Sequence, residues 1–328
     1  MAVHTKLSRQ EIADFISANY QIGELVWFKE IIDGIDNSNF IIQTDVDKFI
    51  FTIFENRINQ DELPFFMNLK LHLAEYKIHK ICCPKPIKNN SGQLISSVKN
   101  KSAAIVSFLP GATLKPLDSG LYASITENHC AQIGQVSAKL HEAVLDFKEV
   151  RTNDLGILGW RNLFNKIADQ IENYQTGLRL EISGYIDFLE KNWQNNYQSG
   201  AVHADLFPDN VFFDGQNNLS GVIDFYFAAN DLFIYDLAVT INAWCFDENN
   251  KFDEKKSAAI LAGYQKIKKL SAAELDFLKI ALLGAALRFL LTRLHDLFFT
   301  PQDSLVKIKN PQEYLEKIRF FYKRDKIS

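Results

Sequence analysis

Long apolar runs are missing from this 328-residue chain: the longest, over residues 280–294, is broken by Arg288 and Arg293 and is too short to span a bilayer. An excess of basic charge is missing too. The 36 Lys and Arg stand against 40 Asp and Glu, a net charge of -4, so no global field draws the chain onto nucleic acid or an anionic membrane. Cysteine is scarce, with four residues, no Cys-x-x-Cys pair and no clustered histidines to complete a zinc site. The start, Met1-Ala2-Val3-His4-Thr5-Lys6, leads into polar helix-forming sequence and not into an apolar signal region. The expectation is a reduced, cytoplasmic protein that meets small molecules, not nucleic acid or membrane. Repeats and low-complexity tracts are likewise absent.

What is present is a globular composition, 47% hydrophobic, over a length that suits two lobes. Ser8 with Glu11 forms a capping box at the head of an amphipathic helix reaching towards Tyr20. Runs rich in Ile, Phe and Val follow at 25–32, 39–44 and 48–55, separated by short polar turns that suit an antiparallel meander. A helix is predicted over 63–76, a hairpin and loops over 77–101, and a further strand over 103–108. Leu109-Pro110-Gly111 then marks the expected boundary between an N-terminal strand-rich lobe, residues 1–109, and a C-terminal helical lobe, residues 110–328. In the second lobe Ser124 with Glu127 is expected to cap a helix to about Asp146, with helices over 160–174 and 177–193. Short strands are predicted at 200–203, 211–214 and 219–225, and closing helices begin at Ser271 with Glu274 and at Asn310-Pro311.

The chemistry lies in His203-Ala204-Asp205-Leu206-Phe207-Pro208-Asp209-Asn210, followed after the hairpin by Ile223-Asp224-Phe225. In kinase-type phosphoryl transfer one aspartate accepts or orients the acceptor hydroxyl. An asparagine a turn later and an aspartate on the next hairpin bind the magnesium ions that bridge the phosphates. Asp205, Asn210 and Asp224 match these roles in order, which makes ATP and Mg2+ the expected cofactors. A carboxylate-bearing surface loop is the bland alternative, and the order and spacing between predicted strands argue against it. His203 reads as structural, bonded to nearby backbone, because acidic residues already cover the proton and metal work.

This pattern resembles the aminoglycoside phosphotransferase and choline kinase branch of the kinase superfamily. The resemblance implies an α+β, protein-kinase-like bilobal fold with an antiparallel-sheet N-lobe and a mainly helical C-lobe. Asp236, in Tyr235-Asp236-Leu237-Ala238, resembles the branch's helix aspartate that ties down the catalytic-loop backbone. Asp33 to Phe40 lies where a phosphate-covering loop belongs, with Gly34, Asn37 and Ser38 as candidates through their backbone amides. An ordinary polar hairpin turn explains the same residues. Ser107, Phe108 and Leu109 occupy the hinge position that would hold adenine, and a plain interlobe turn fits them equally. The third strand departs from the pattern: Thr52 stands where a phosphate-pairing lysine is expected. Lys48 is about 13 Å away along the strand, Arg57 lies just past its end, and Glu62 and Glu75 are the candidate carboxylates for such a lysine.

A narrower resemblance, to bacterial homoserine kinases of this branch, rests on Asp224-Phe225-Tyr226-Phe227-Ala228, Asn242-Ala243-Trp244-Cys245-Phe246 and the 284–294 helix, and runs through nearly the whole chain. It implies transfer of the ATP γ-phosphoryl group to the side-chain hydroxyl of L-homoserine, on the route to threonine. Such a substrate needs a cation for its carboxylate and an anion for its ammonium. Arg288 and Arg293 are the carboxylate candidates, with structural ion pairs to neighbours such as Asp296 as the competing explanation. Asp231 is a candidate for the ammonium or a loop cap, Trp244 a pocket wall or core, and Tyr226 a substrate contact beside the metal-binding aspartate. Choline, ethanolamine, methylthioribose or an aminoglycoside are alternative acceptors. A catalytically inactive nucleotide-binding module is the remaining alternative, motivated by Thr52.

Overall fold

The computed structural model describes residues 5–31, 37–55, 59–79, 82–117, 121–122, 124–301 and 308–324. Gly34 and Arg57 lie outside them. The chain divides into two compact units. One runs to Pro110 and also takes in Gly221–Tyr226; the other takes Gly111–Ser220, Phe227–Gln302 and the C-terminal segment. Asp205 and Asn210 therefore belong to the second unit and Asp224 to the first.

The first unit opens with α1 (Arg9–Asn19), headed by the expected capping box: Ser8 Oγ accepts the Glu11 amide at 3.2 Å and Glu11 accepts the Ser8 amide at 2.7 Å. Then come β1 (Leu25–Ile31), β2 (Asn37–Thr44), β3 (Lys48–Phe54), α2 (Leu63–Glu75), β4 (Ser96–Val98) and β5 (Lys101–Ser107). The five strands form one antiparallel sheet in the order β1-β2-β3-β5-β4. Strand side chains alternate between faces. Phe49, Phe51 and Ile53 of β3 join Ile12, Phe15 and Ile16 of α1 in one core, with the Phe15 ring stacked on Phe51 at 4.8 Å. Alternation puts Thr52 and Phe54 on the opposite face. Just past β3, the buried Glu55 carboxylate accepts Ser38 Oγ at 2.7 Å, the Thr5 amide at 2.9 Å, and Lys101. Burial pushes this carboxyl up, but the hydrogen bonds outweigh it and hold it at about 2.

The second unit contains β6 (Ala112–Thr113), α3 (Glu127–Ala143), α4 (Ile157–Tyr174), α5 (Leu178–Asn192), β7 (Ser199–Val202), β8 (Val211–Phe213), β9 (Leu219–Val222), β10 (Ala229–Leu232), α6 (Phe233–Trp244), α7 (Glu254–Gln265), α8 (Ala272–Phe299) and α9 (Gln312–Lys323); β9 crosses into the first unit at Gly221. Two expectations are corrected. The cap of α3 is Thr126 with His129, not Ser124 with Glu127: Thr126 Oγ1 accepts the His129 amide and the His129 ring accepts the Thr126 amide, both at 3.3 Å. The strand expected over 219–225 stops at Val222, because Asp224 has φ 64 and Phe225–Phe227 turn into a 3-10 helix. The chain then makes β10, which pairs antiparallel with β7 and carries too little apolar alternation to be read as a strand. α3 and α7 approach backbone to backbone, since a Cβ on Gly134 would stand 2.1 Å from the Ile260 carbonyl oxygen and one on Gly263 equally close to that of Ala131. Among the described residues no helix is long and apolar enough to cross a membrane.

Candidate active site

The segment after β7 is held in an unfavourable shape by bonds from several directions. Ala204 has φ 61, a left-handed conformation that costs a non-glycine residue about 1–2 kcal/mol. Its amide donates to Asp236 Oδ1 at 2.6 Å, and its carbonyl accepts from Arg288 Nη1. Asp236 is buried on α6, and its second oxygen meets His141 Nε2 at 2.8 Å, while His141 Nδ1 meets the Tyr264 hydroxyl at 2.8 Å. Burial pushes the Asp236 carboxyl up, but His141, His203 and the Ala204 amide more than offset this and hold it below the usual range. The Asp205 amide donates to His203 Nδ1 at 3.3 Å. Asn210 Nδ2 donates to the Asp205 carbonyl at 2.8 Å and to Asp205 Oδ2 at 3.2 Å. Carboxylate and amide are thus held together with the amide oxygen of Asn210 outside both bonds.

Asp205 is half-buried, and burial pushes its carboxyl up, against the pull of Arg288 and Lys309 downwards. Arg288 emerges from the middle of α8, 2% exposed, with its guanidinium 4.6 Å from the Phe289 ring and 5.4 Å from the Phe227 ring. Its Nε and the Tyr314 hydroxyl are buried without a hydrogen-bond partner among the described residues, and the Tyr235 hydroxyl, which makes no bond of good geometry, stands close to Arg288. Arg288 pulls down the titration of both tyrosines, each raised first by burial, so the three groups share one neighbourhood. Buried polar atoms without partners cost about 1–3 kcal/mol each, which makes such a cluster a place where a polar ligand or water belongs.

Other expected substrate contacts are differently employed. Arg293 Nη1 donates to Glu313 Oε2 at 2.6 Å and to the Asn310 carbonyl at 2.9 Å, and Lys317 pairs with Glu313 Oε1 at 2.6 Å. Arg293 is therefore a member of a buried structural triad built on Glu313, a partner twenty residues away that helix spacing did not suggest; Asp296 instead meets His295. Trp244 is fully buried and donates its indole N–H to the Leu206 carbonyl at 2.8 Å, which makes it a brace of the Asp205 segment and not a pocket wall. Asp231 accepts Asn153 Nδ2 at 2.6 Å and the Leu232 amide at 2.7 Å. It lines a pocket of about 300 Å³ with Thr152, Asn153 and Gly156, and Arg288, outside that lining, still draws its carboxyl down against burial.

In the first unit, Asp224 is exposed in its left-handed turn. Tyr226 takes the edges of Phe54 and Phe66 at 5.9 and 5.7 Å. Thr52 Oγ1 donates to Asn39 Oδ1 at 2.7 Å. Asn37 accepts the Glu55 amide at 3.3 Å and Ser38 is buried against Glu55, so both side chains serve the end of β3. Glu75 pairs with Lys85 at 2.9 Å on the surface. At the hinge position the amides of Ser107 and Phe108 are spent on the carbonyls of Lys85 and Lys48, which leaves the Leu109 amide outside these bonds. Gly221 carries no side chain beside Leu109: a Cβ there would stand 2.5 Å from Leu109 Cδ1.

The residues suit magnesium by the chemistry of their donors. Asn210 offers an amide oxygen and Asp224 a carboxylate, both hard ligands, and magnesium is ordinarily held by one or two protein oxygens with phosphates and water completing its shell. Among the described residues no group of three His, Cys, Asp or Glu could hold a metal by itself.

Sequence reasoning missed His141, Tyr235, Tyr314 and Lys309. His141 follows the buried stripe of α3, and its i+3 and i+4 neighbours carry no sign of a carboxylate 95 positions away. Tyr235 and Tyr314 read as core aromatics, which they are except for their hydroxyls.

The phosphotransferase enzyme family matches residues 27–270. The chain is 43% identical over 325 residues to a homoserine kinase of Paramagnetospirillum magneticum, covering 98% of this chain and 96% of that one. It is 44% identical over 321 residues to a homoserine kinase of Nitrobacter hamburgensis, covering 98% and 94%. Among solved structures, an amicoumacin kinase superposes with a TM-score of 0.67 at 15% identity, covering 96% of this chain and 92% of the other. A choline kinase of Cryptosporidium parvum does so with a TM-score of 0.62 at 16%, covering 90% and 88%. These show a kinase-like fold of antiparallel sheet and helices. From the family match and the near-full-length relatives, the chain belongs to the phosphotransferase enzyme family, as a small-molecule phosphotransferase.

Proposed function

We propose that this protein is an ATP-dependent homoserine kinase, and that Asp205, Asn210, Asp224 and Arg288 carry the reaction. The full-length homoserine kinase relatives give the substrate. The observation that carries the site assignment is Arg288: a buried guanidinium with an unpartnered Nε, next to the catalytic-segment backbone, in the neighbourhood of Asp205. A desolvated arginine is well matched to a carboxylate, and an acceptor amino acid brings one. Choline and ethanolamine have none.

In the reaction the homoserine hydroxyl oxygen forms a bond to the γ-phosphorus of ATP, the bond from that phosphorus to the β-bridging oxygen breaks, and ADP leaves. Asp205 orients the hydroxyl and accepts its proton. Asn210, by its two bonds to Asp205, fixes the aspartate and offers its oxygen to the metal, and Asp224 offers a second oxygen. A magnesium ion held by these two oxygens would supply positive charge against the phosphates. Asp236 and Trp244 keep the Asp205 segment in shape through Ala204 and Leu206, so that little reorganisation accompanies transfer. Arg288 is the anchor for the substrate carboxylate. Of the two arginines considered, it alone has a buried nitrogen without a partner among the described residues.

The test is ADP release with MgATP across L-homoserine, choline, ethanolamine, methylthioribose and kanamycin, with Asp205→Asn as control. Homoserine-stimulated release that falls by about 10²-fold or more in the control, with an unchanged melting temperature, is expected. Release driven by another acceptor, or full activity in Asp205→Asn, would remove the reading.

A further inference from the structure

β3 carries Thr52 where a kinase of this kind is expected to carry its phosphate-pairing lysine, and Thr52 is occupied by a neutral hydrogen bond to Asn39. A buried cation nevertheless lies beside a ring that touches the Thr52 face of β3. Lys70, in the second half of α2, is 6% exposed, in a helix whose other buried residues are Leu63, Phe65, Phe66, Met67, Leu69 and Leu73. Its Nζ lies 5.3 Å from the centre of the Tyr226 ring. Tyr226 in turn takes the edge of Phe54, which shares its strand face with Thr52, and the edge of Phe66, one helical turn before Lys70. All of these residues belong to the first unit.

Burying an amine is costly, and Lys70 has no ion pair to offset the cost among the described residues. Burial pushes its amine down to about 8, with Cys83 and Asp224 pulling the other way. Cys83 is no counter-ion at neutral pH, because burial pushes its thiol up to about 12. The remaining anion in its field is Asp224, whose carboxylate the proposed function commits to magnesium. A cation capped by an aromatic ring, desolvated, and sharing a field only with a prospective metal ligand is set up to meet a further anion.

We infer that Lys70 supplies from α2 the phosphate-binding cation that β3 lacks, its ammonium pairing with the phosphate oxygens of the bound nucleoside triphosphate. This rests on the ATP-dependent reading above. It also removes the main ground for an inactive module, since the missing lysine is replaced from another element. The helix whose Glu75, with Glu62 just before it, was the expected partner for a strand lysine provides the lysine itself. Lys70 is a binding residue for the proposed transfer, and Tyr226 positions it.

The experiment compares wild type, Lys70→Met and Lys70→Arg by calorimetry with MgADP, a non-hydrolysable MgATP analogue and adenosine, and by kinetics in MgATP. Met keeps the length of the stem and removes the charge. Expected for Lys70→Met is adenosine binding like wild type, phosphate-bearing nucleotides bound about 10–100-fold more weakly, and kcat/KM for ATP lower by about 10²-fold. KM for the acceptor should be unchanged. Lys70→Arg should recover most of the phosphate affinity. Because the substitution removes a buried charge without an ion pair, the free protein should melt at or above the wild-type temperature; a purely structural lysine would lower the melting temperature and weaken adenosine and nucleotides alike. Equal nucleotide affinity in Lys70→Met and wild type overturns the inference, as does a parallel loss of adenosine binding. Nucleotide binding is read without acceptor, so failure of homoserine turnover in wild type is a separate result that sinks the substrate reading alone.

Discussion

Replacing Arg288 by Met should erase the enzyme's ability to recognise the substrate carboxylate. The side chain is 2% exposed, its Nη1 is bonded to the Ala204 carbonyl, and its Nε has no partner among the described residues. Losing one partner of a buried, charge-assisted pair costs about 2–5 kcal/mol, equivalent to about 30- to 5,000-fold in kcat/KM for homoserine. The substitution also frees the Ala204 carbonyl and so disturbs Asp205, which lowers turnover for every acceptor. The two effects separate in a cycle that pairs wild type and Arg288→Met with L-homoserine and 3-amino-1-propanol, which is homoserine without its carboxylate. Wild type should prefer homoserine by that factor, and the variant should turn over the two compounds about equally, within about threefold. Arg288→Lys should recover part of the preference, since a point charge replaces a fork. If Arg288→Met keeps the full preference for homoserine, the carboxylate binds elsewhere and the argument from the unpartnered Nε is wrong.

Two further outcomes concern stability. Glu313→Gln strands Arg293 and Lys317, 7% and 2% exposed, without their shared carboxylate, and should destabilise the protein by about 3–5 kcal/mol in denaturant titration while Arg293→Met with Lys317→Met restores much of the loss. Glu313 is held below the ordinary carboxylate range by those two cations despite its burial, so its contribution is present above the unfolded glutamate value and is lost as pH falls through the folded one. Lys101→Met should cost about 1 kcal/mol or less by removing the cation beside Glu55. Because Glu55 is held at about 2, wild type should keep this stability at pH values below the ordinary glutamate range, and the variant should begin to lose it at higher pH. An acid limb that coincides in the two proteins would contradict that assignment.

The local signals in the chain decided much of what the structure contains. Ser8 with Glu11 and Ser271 with Glu274 are capping boxes because both partners lie within one helical turn, and the β3 alternation that buries Phe49, Phe51 and Ile53 needs only the pleat. The proposed roles of Asp205, Asn210 and Asp224 rest on a similar local signal, since a reaction that needs a base and two metal ligands on consecutive turns and strands would write them at fixed spacing.

What sequence could not decide are pairings between residues far apart in the chain. Whether Arg288 or Arg293 is available to a ligand depends on Glu313, which takes Arg293 and leaves Arg288. His141 and Asp236 are 95 positions apart and support the Asp205 segment only through packing of α3 and α6. Lys70 reads in sequence as one polar residue on an apolar helix; the tertiary structure sets it against the Tyr226 ring, which itself meets Phe54 of β3. Desolvation, which gives such groups their chemical character, is a property of what surrounds them in space, and a sequence records only the residues that precede and follow.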